Sequence, residues 1–178
     1  MTRKFKNKYR VDTTRLKDFD YGSASHYFIT VCVKNRIKSF GEIKNGEMIL
    51  SELGKIAHQE WLNTFDLRPD MNLTMGEFII MPDHFHAIIS IGENEYNKEK
   101  RLSKFENQSK NIGSIMRGFK SSVTTYARKN DYPNFQWQPR FHDHIIRDSK
   151  AHQRIAKYIE DNPKNWKKNK INDALVQS

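Results

Sequence analysis

The 178-residue chain is poor in several things, and each shortage excludes something. It has one cysteine, Cys32, inside an apolar run, so no internal disulfide can form. With cysteine so scarce, a closed structural zinc site, which wants four protein ligands, is not expected. No apolar stretch approaches the roughly 20 residues that span a bilayer, and the amino terminus is too polar for a secretory signal. A cytoplasmic location and no membrane partner are therefore expected. There is no glycine-rich P-loop, so no nucleotide-driven chemistry is built in. No internal repeat is present. Acidic residues are outnumbered, 21 Asp+Glu against 31 Lys+Arg, for a formal charge of +10. Such a surface favours a polyanion, most often nucleic acid, over a neutral metabolite. The length suits one domain with a real core and short extensions.

What is present centres on the stretch from Met81 to Ile91, which contains Pro82-Asp83-His84-Phe85-His86-Ala87-Ile88-Ile89. It reads as a strand. Side chains alternate along a pleated backbone, so His84 and His86 project from one face while Phe85, Ala87 and Ile89 turn to a core. Two imidazoles on one rigid face can offer two nitrogens to a single divalent metal. They are equally compatible with a half-buried strand whose histidines are each satisfied by a hydrogen bond.

In chain order, residues 1–20 form a basic arm in which Phe5 and Tyr9 interleave with Arg3, Lys4, Lys6, Lys8 and Arg10. That mixture suits phosphate contact and base stacking, or a solvated tail. The domain proper is expected over 21–166 and a basic tail over 167–178. His26 to Val33 is β-branched and aromatic, as in a central strand covered on both faces. Asn45-Gly46 divides two extended pieces, Gly41–Lys44 and Glu47–Leu50, into a hairpin with a type I′ turn.

Ser51 can cap a helix whose stripe is Leu53, Ile56, Ala57, Trp61 and Phe65. Leu73 to Met81 is a second strand, too close to the histidine strand for anything but an antiparallel pair. Gly92 to Asn111 reads as an exposed connection. Ile112, Ile115, Met116, Phe119 and Val123 mark one face of a second helix that carries Arg117, Lys120 and Arg128 on or near its exposed side. A last strand is expected over Phe141–Arg147, placing Arg140, His142 and His144 on one face. Ser149 would cap a final helix that ends near Pro163. Leaving out the hairpin and the last helix, the order is βαββαβ. This is an α+β, ferredoxin-like antiparallel sheet with helices on one face, an added hairpin and a C-terminal helix.

Tyr158 and Asn162, four apart, can look the same way from the last helix. If that helix lies beside the histidine strand, Asn162 can lend a carbonyl oxygen as a third metal ligand. Tyr158 would then point its hydroxyl across the metal. A phenol with a pKa of about 10 needs help to attack near neutral pH, and a metal-held phosphate supplies it. The phosphoester would survive in a phosphotyrosine, so strands could be rejoined without ATP. The plain alternative makes Tyr158 a core residue in the stripe with Ile155 and Ile159.

His84-Phe85-His86 after Met81-Pro82-Asp83, then Trp137-Gln138-Pro139-Arg140-Phe141, then Tyr158-Ile159-x-x-Asn162-Pro163, together resemble the IS200-like (HUH) tyrosine transposases. Within that superfamily the chain most resembles the repetitive-extragenic-palindrome (REP)-associated tyrosine transposases. The likeness runs from about Tyr21 to Trp166. It implies a metal-dependent single-strand DNA endonuclease and strand transferase acting on single-stranded or hairpin DNA, as a monomer or homodimer. By that resemblance His84 and His86 hold Mg²⁺ or Mn²⁺, Tyr158 is the nucleophile of a 5′-phosphotyrosine link, and Asn162 takes the place of the polar third ligand. Mobile relatives often have glutamine where this chain has Asn162. DNA contacts are expected from Lys120, Arg140, His144 and Arg10. Two other classes fit parts of the pattern: a nucleic-acid-binding module on the same fold, and a metal-dependent phosphodiesterase that uses water. The paired aromatic consensus of RNA-recognition sheets is missing, which counts against the module.

Overall fold

The computed structural model describes residues 19–98 and 109–166, with the two-residue pieces Lys4–Phe5 and Lys8–Tyr9. Arg10, most of the arm and the tail over 167–178 lie outside the described residues. The elements are β1 (Ser25–Cys32), β2 (Gly41–Lys44), β3 (Glu47–Leu50), α1 (Glu52–Asp66), β4 (Leu73–Met81), β5 (His84–Ile91), α2 (Ile112–Lys129), β6 (His142–Ile146) and α3 (Ser149–Glu160). Strands β4-β5-β1-β6 form one sheet in that order, every neighbouring pair antiparallel. That is the expected α+β, ferredoxin-like arrangement. The hairpin β2–β3 stands apart, with Asn45 at φ 52° and Gly46 at φ 79° as a type I′ turn requires.

Alternation along the strands divides the molecule into two layers. Tyr27, Ile29 and Val31 of β1 and Phe85, Ala87 and Ile89 of β5 are fully buried on one face. They pack there against Leu53, Ala57 and Trp61 of α1 and Ile115, Phe119 and Val123 of α2. The indole of Trp61 lies 4.8 Å from Phe85 and 5.6 Å from Phe119, centroid to centroid. Each such side chain contributes about 1.5–3 kcal/mol by leaving water. Helix α1 starts where the sequence says it should, since the Ser51 hydroxyl accepts from the Gly54 N–H at 3.1 Å. Asn111 and Ser114 exchange bonds in a capping box at the start of α2.

Because α1 and α2 fill one face, α3 can dock only on the other. It does so through Ala151 and Ile159, on a small cluster with Ile88 and Ile146. This second layer stops short of the histidine end of β5, and a cleft remains there.

Two local expectations are corrected. The cap of α3 is Asp148, whose carboxylate accepts from the Ala151 N–H at 2.7 Å, and Ser149 is the first helical residue. A carboxylate satisfies that N–H and also favours the positive end of the helix dipole. Strand β6 begins at His142, because Arg140 sits at φ 68° in the left-handed region and turns the chain out of the extended line. Arg140 therefore does not share a strand face with His142 and His144.

Candidate active site

The register of β1 against β5 sets Thr30 opposite His86 and Cys32 opposite His84. All four share the face away from α1 and α2. Both imidazoles are buried, at 4% and 5% exposure. Each is also held by its Nδ1. His84 Nδ1 lies 2.6 Å from Asp83 Oδ1, and that buried carboxylate is backed by Arg36, with Nε 3.6 Å from Oδ2. His86 Nδ1 lies 2.8 Å from Thr30 Oγ1. Phe28 stacks on His86 at 5.3 Å, and Trp166 on His84 at 5.9 Å. Orientation through Nδ1 leaves each Nε2 for the cleft, which is how an outer partner prepares a histidine to bind metal. Burial, reinforced by the nearby His84 and Arg36, pushes the His86 pKa well below its ordinary value. The ring is therefore neutral at neutral pH, as ligation requires.

Tyr158 reaches this pair from α3. Its hydroxyl lies 3.5 Å from His86 Nε2, and its ring meets Phe28 edge-on at 6.2 Å. The phenol is 42% exposed, so it is reachable from solvent and is not a core residue. Tyr158, His84 and His86 line one cleft of about 460 Å³, together with Arg36, Arg140 and His142. No carboxylate is among the described residues lining it. A cleft with cations, imidazoles and a phenol suits a phosphodiester.

Asn162 is placed differently. Its N–H reaches the Ile159 carbonyl at 3.2 Å, a tighter step than an α-helix makes, so it does not follow Tyr158 at helical spacing. Pro163 is the reason, because it disfavours α geometry at the residue before it. Asn162 is 1% exposed and does not line the cleft. Yet both of its amide atoms are buried with no hydrogen-bond partner among the described residues. An orphaned buried amide costs about 1–3 kcal/mol, which an ion or ligand would offset. Among the described residues no three His, Cys, Asp or Glu side chains gather around one point. Two imidazole nitrogens and one amide oxygen nevertheless fit a divalent cation chemically.

The remaining candidates separate. Lys120 is drawn inward: its ammonium donates to the carbonyls of Gln138 at 2.8 Å and Arg140 at 2.9 Å, and burial lowers its pKa. It thereby fixes the loop that brings Arg140 to the cleft wall. His144 is exposed on β6 opposite Phe28 and lines a neighbouring hollow with Arg147 and Arg154. Asp83, Thr30, Arg36 and Trp166 were not singled out by sequence reasoning. Writing β1 antiparallel to β5 would have exposed Thr30, and a carboxylate beside the first histidine was the available signal for Asp83.

No protein-family model matches this chain. An uncharacterized protein of Haemophilus influenzae is 40% identical over 164 residues, which cover 88% of this chain and 90% of that one. A second protein of that organism, described as a "putative REP-associated tyrosine transposase", is 25% identical over 145 residues, 81% of this chain and 73% of its own. Among solved structures, a REP-associated tyrosine transposase bound to a REP hairpin superposes with a TM-score of 0.59 at 21% identity. It covers 85% of this chain and 73% of that one, a likeness of fold. In motif order the chain resembles the IS200-like tyrosine transposases, and the solved transposase shares its fold. Within that likeness, the chain is similar in sequence to the putative REP-associated tyrosine transposase and shares the fold of the solved one.

Proposed function

We propose that this protein cleaves and rejoins single-stranded DNA beside a hairpin, using Tyr158 as the nucleophile. The observation that carries the reading is the 3.5 Å approach of the Tyr158 hydroxyl to His86 Nε2. It sets a solvent-accessible phenol against a pair of pre-oriented imidazoles, on the one sheet face that α1 and α2 leave open. In the forward step the phenol oxygen bonds to phosphorus and loses its proton. The bond from phosphorus to the 3′ oxygen breaks, and that oxygen takes up a proton. The products are a 5′-phosphotyrosine and a free 3′ hydroxyl, and the reverse attack by a 3′ hydroxyl reseals a strand without external energy.

His84, His86 and Asn162 would hold Mg²⁺ or Mn²⁺. Bound there, the ion would polarise the phosphate and stabilise the charge that develops. The protein's own part is to keep the His86 ring neutral and both imidazoles aimed, to hold Arg36 and Arg140 at the phosphate, and to present the phenol from a helix. The solved transposase of like fold, bound to a REP hairpin, supports hairpin DNA as the substrate.

The test is incubation of the protein with end-labelled hairpin DNA and Mg²⁺, followed by denaturing electrophoresis. A covalent adduct is expected, lost in Tyr158→Phe while hairpin binding persists. Undiminished cleavage in that variant would assign the attack to water. Binding without any cleavage by the unaltered protein would leave a binding module.

A further inference from the structure

On the far side of the loop 137–141 from the cleft lies a groove of about 620 Å³, between that loop and the outer face of α2. Arg117, Ser121, Thr125 and Arg128 line it, and all four are exposed. Their spacing of four, four and three puts them on one stripe of the helix. Neither Arg117 nor Arg128 has an ion pair or side-chain hydrogen bond among the described residues. No carboxylate is among the described residues lining the groove. Two cations with no ion pair among the described residues, set beside hydroxyl donors, mark an anion site. The spacing fits a row of phosphates better than one ion, since the two arginines are 11 positions apart and so about 16 Å along the helix axis.

The groove and the cleft share one wall. Gln138, Pro139, Arg140 and Phe141 line both, one from each side. Lys120 pins this dividing loop through its two carbonyl bonds, so the passage has a fixed floor. Phe141 is half-buried on it and offers a ring to a base.

We infer that the outer face of α2 carries the phosphodiester backbone of the single strand that leaves the Tyr158 cleft across the loop 137–141. Arg117 and Arg128 take phosphates at the two ends of a short run, with Ser121 and Thr125 donating to those between them. This rests on the function proposed above, because a strand must lie in the cleft before it can leave it.

The test is fluorescence anisotropy of the full-length protein in chelator, without chemistry. The probe is a labelled DNA hairpin with a single-stranded extension of about 10 nucleotides, titrated across a series of salt concentrations. The double variant Arg117→Ala/Arg128→Ala should bind about tenfold more weakly, and the slope of log affinity against log salt should fall by about 1.4, or 0.7 per lost phosphate contact. A control, Lys44→Ala/Lys55→Ala, removes the same charge from surface ion pairs elsewhere and should change neither quantity. Unaltered affinity and slope in the arginine variant would overturn the groove and leave the cleft reading standing. An equal loss in the control would also overturn the groove, by tracing the effect to net charge. Failure of the unaltered protein to bind the probe would overturn both readings.

Discussion

The Tyr158 hydroxyl lies 3.5 Å from Nε2 of His86, across 72 positions of sequence. The same nitrogen is the one a metal would take. If the phenol only faces that ion and does not ligate it, Tyr158→Phe should leave Mn²⁺ affinity unchanged, whereas His86→Ala should abolish it. Calorimetric titration distinguishes these outcomes. A marked loss of affinity in Tyr158→Phe would make the tyrosine a ligand and unseat it as the nucleophile.

Asp83 fixes His84 through a 2.6 Å bond to Nδ1. Partners of this kind change metal affinity by about 10–100-fold when removed. Asp83→Ala is expected to weaken Mn²⁺ binding by that much. Asp83→Asn should recover part of it, since an amide oxygen still accepts from the ring N–H. Unchanged affinity in both variants would reduce Asp83 to a counter-ion for Arg36.

Asn162 gives a test whose two readouts move in opposite directions. Asn162→Leu keeps the volume and removes two unsatisfied buried atoms. The metal-free protein should hold its stability or gain up to about 1 kcal/mol in urea unfolding. Metal affinity should fall. A less stable fold with metal affinity intact would make the amide a structural group.

Burial lowers the His86 pKa below the ordinary 6.5 in the folded protein, so the unfolded chain binds this proton more readily. Its stabilising contribution is complete above the unfolded pKa and is lost as pH falls from there toward the folded one. The melting temperature of the metal-free protein should drop as pH falls from about 7.5 to about 5, by less in His86→Gln, which cannot titrate. Identical pH profiles for the two proteins would contradict the burial of a neutral ring.

Lys120 should matter through the loop it ties. Lys120→Met keeps the stem and strands the Gln138 and Arg140 carbonyls. A loss of about 1–2 kcal/mol is expected, at the low end for charged hydrogen bonds because the site is partly solvated. Proteolysis within 137–141 should accelerate, and an unaltered digestion pattern would count against the tie.

The sequence by itself determined most of what rests on neighbours a few positions apart. The alternation of His84 and His86 with Phe85 and Ala87, the Asn45-Gly46 turn, the Ser51 cap and the stripes of α1 and α2 are local consequences of a period of 2.0 or 3.6, and each is realised. One local reading failed: Ser149 was expected to cap α3, and the extended backbone at Asp148 makes that residue the cap. What only the tertiary structure decided is the company these residues keep. Thr30 meets His86 through the register of β1 on β5, and Trp166 covers His84 from beyond the end of α3. The unpaired burial of Asn162 depends on the turn before Pro163 and on the layer that closes over it. Tyr158 faces the histidines because α1 and α2 occupy the other face of the sheet, and burial of apolar surface, which has no direction along the chain, left α3 only this one.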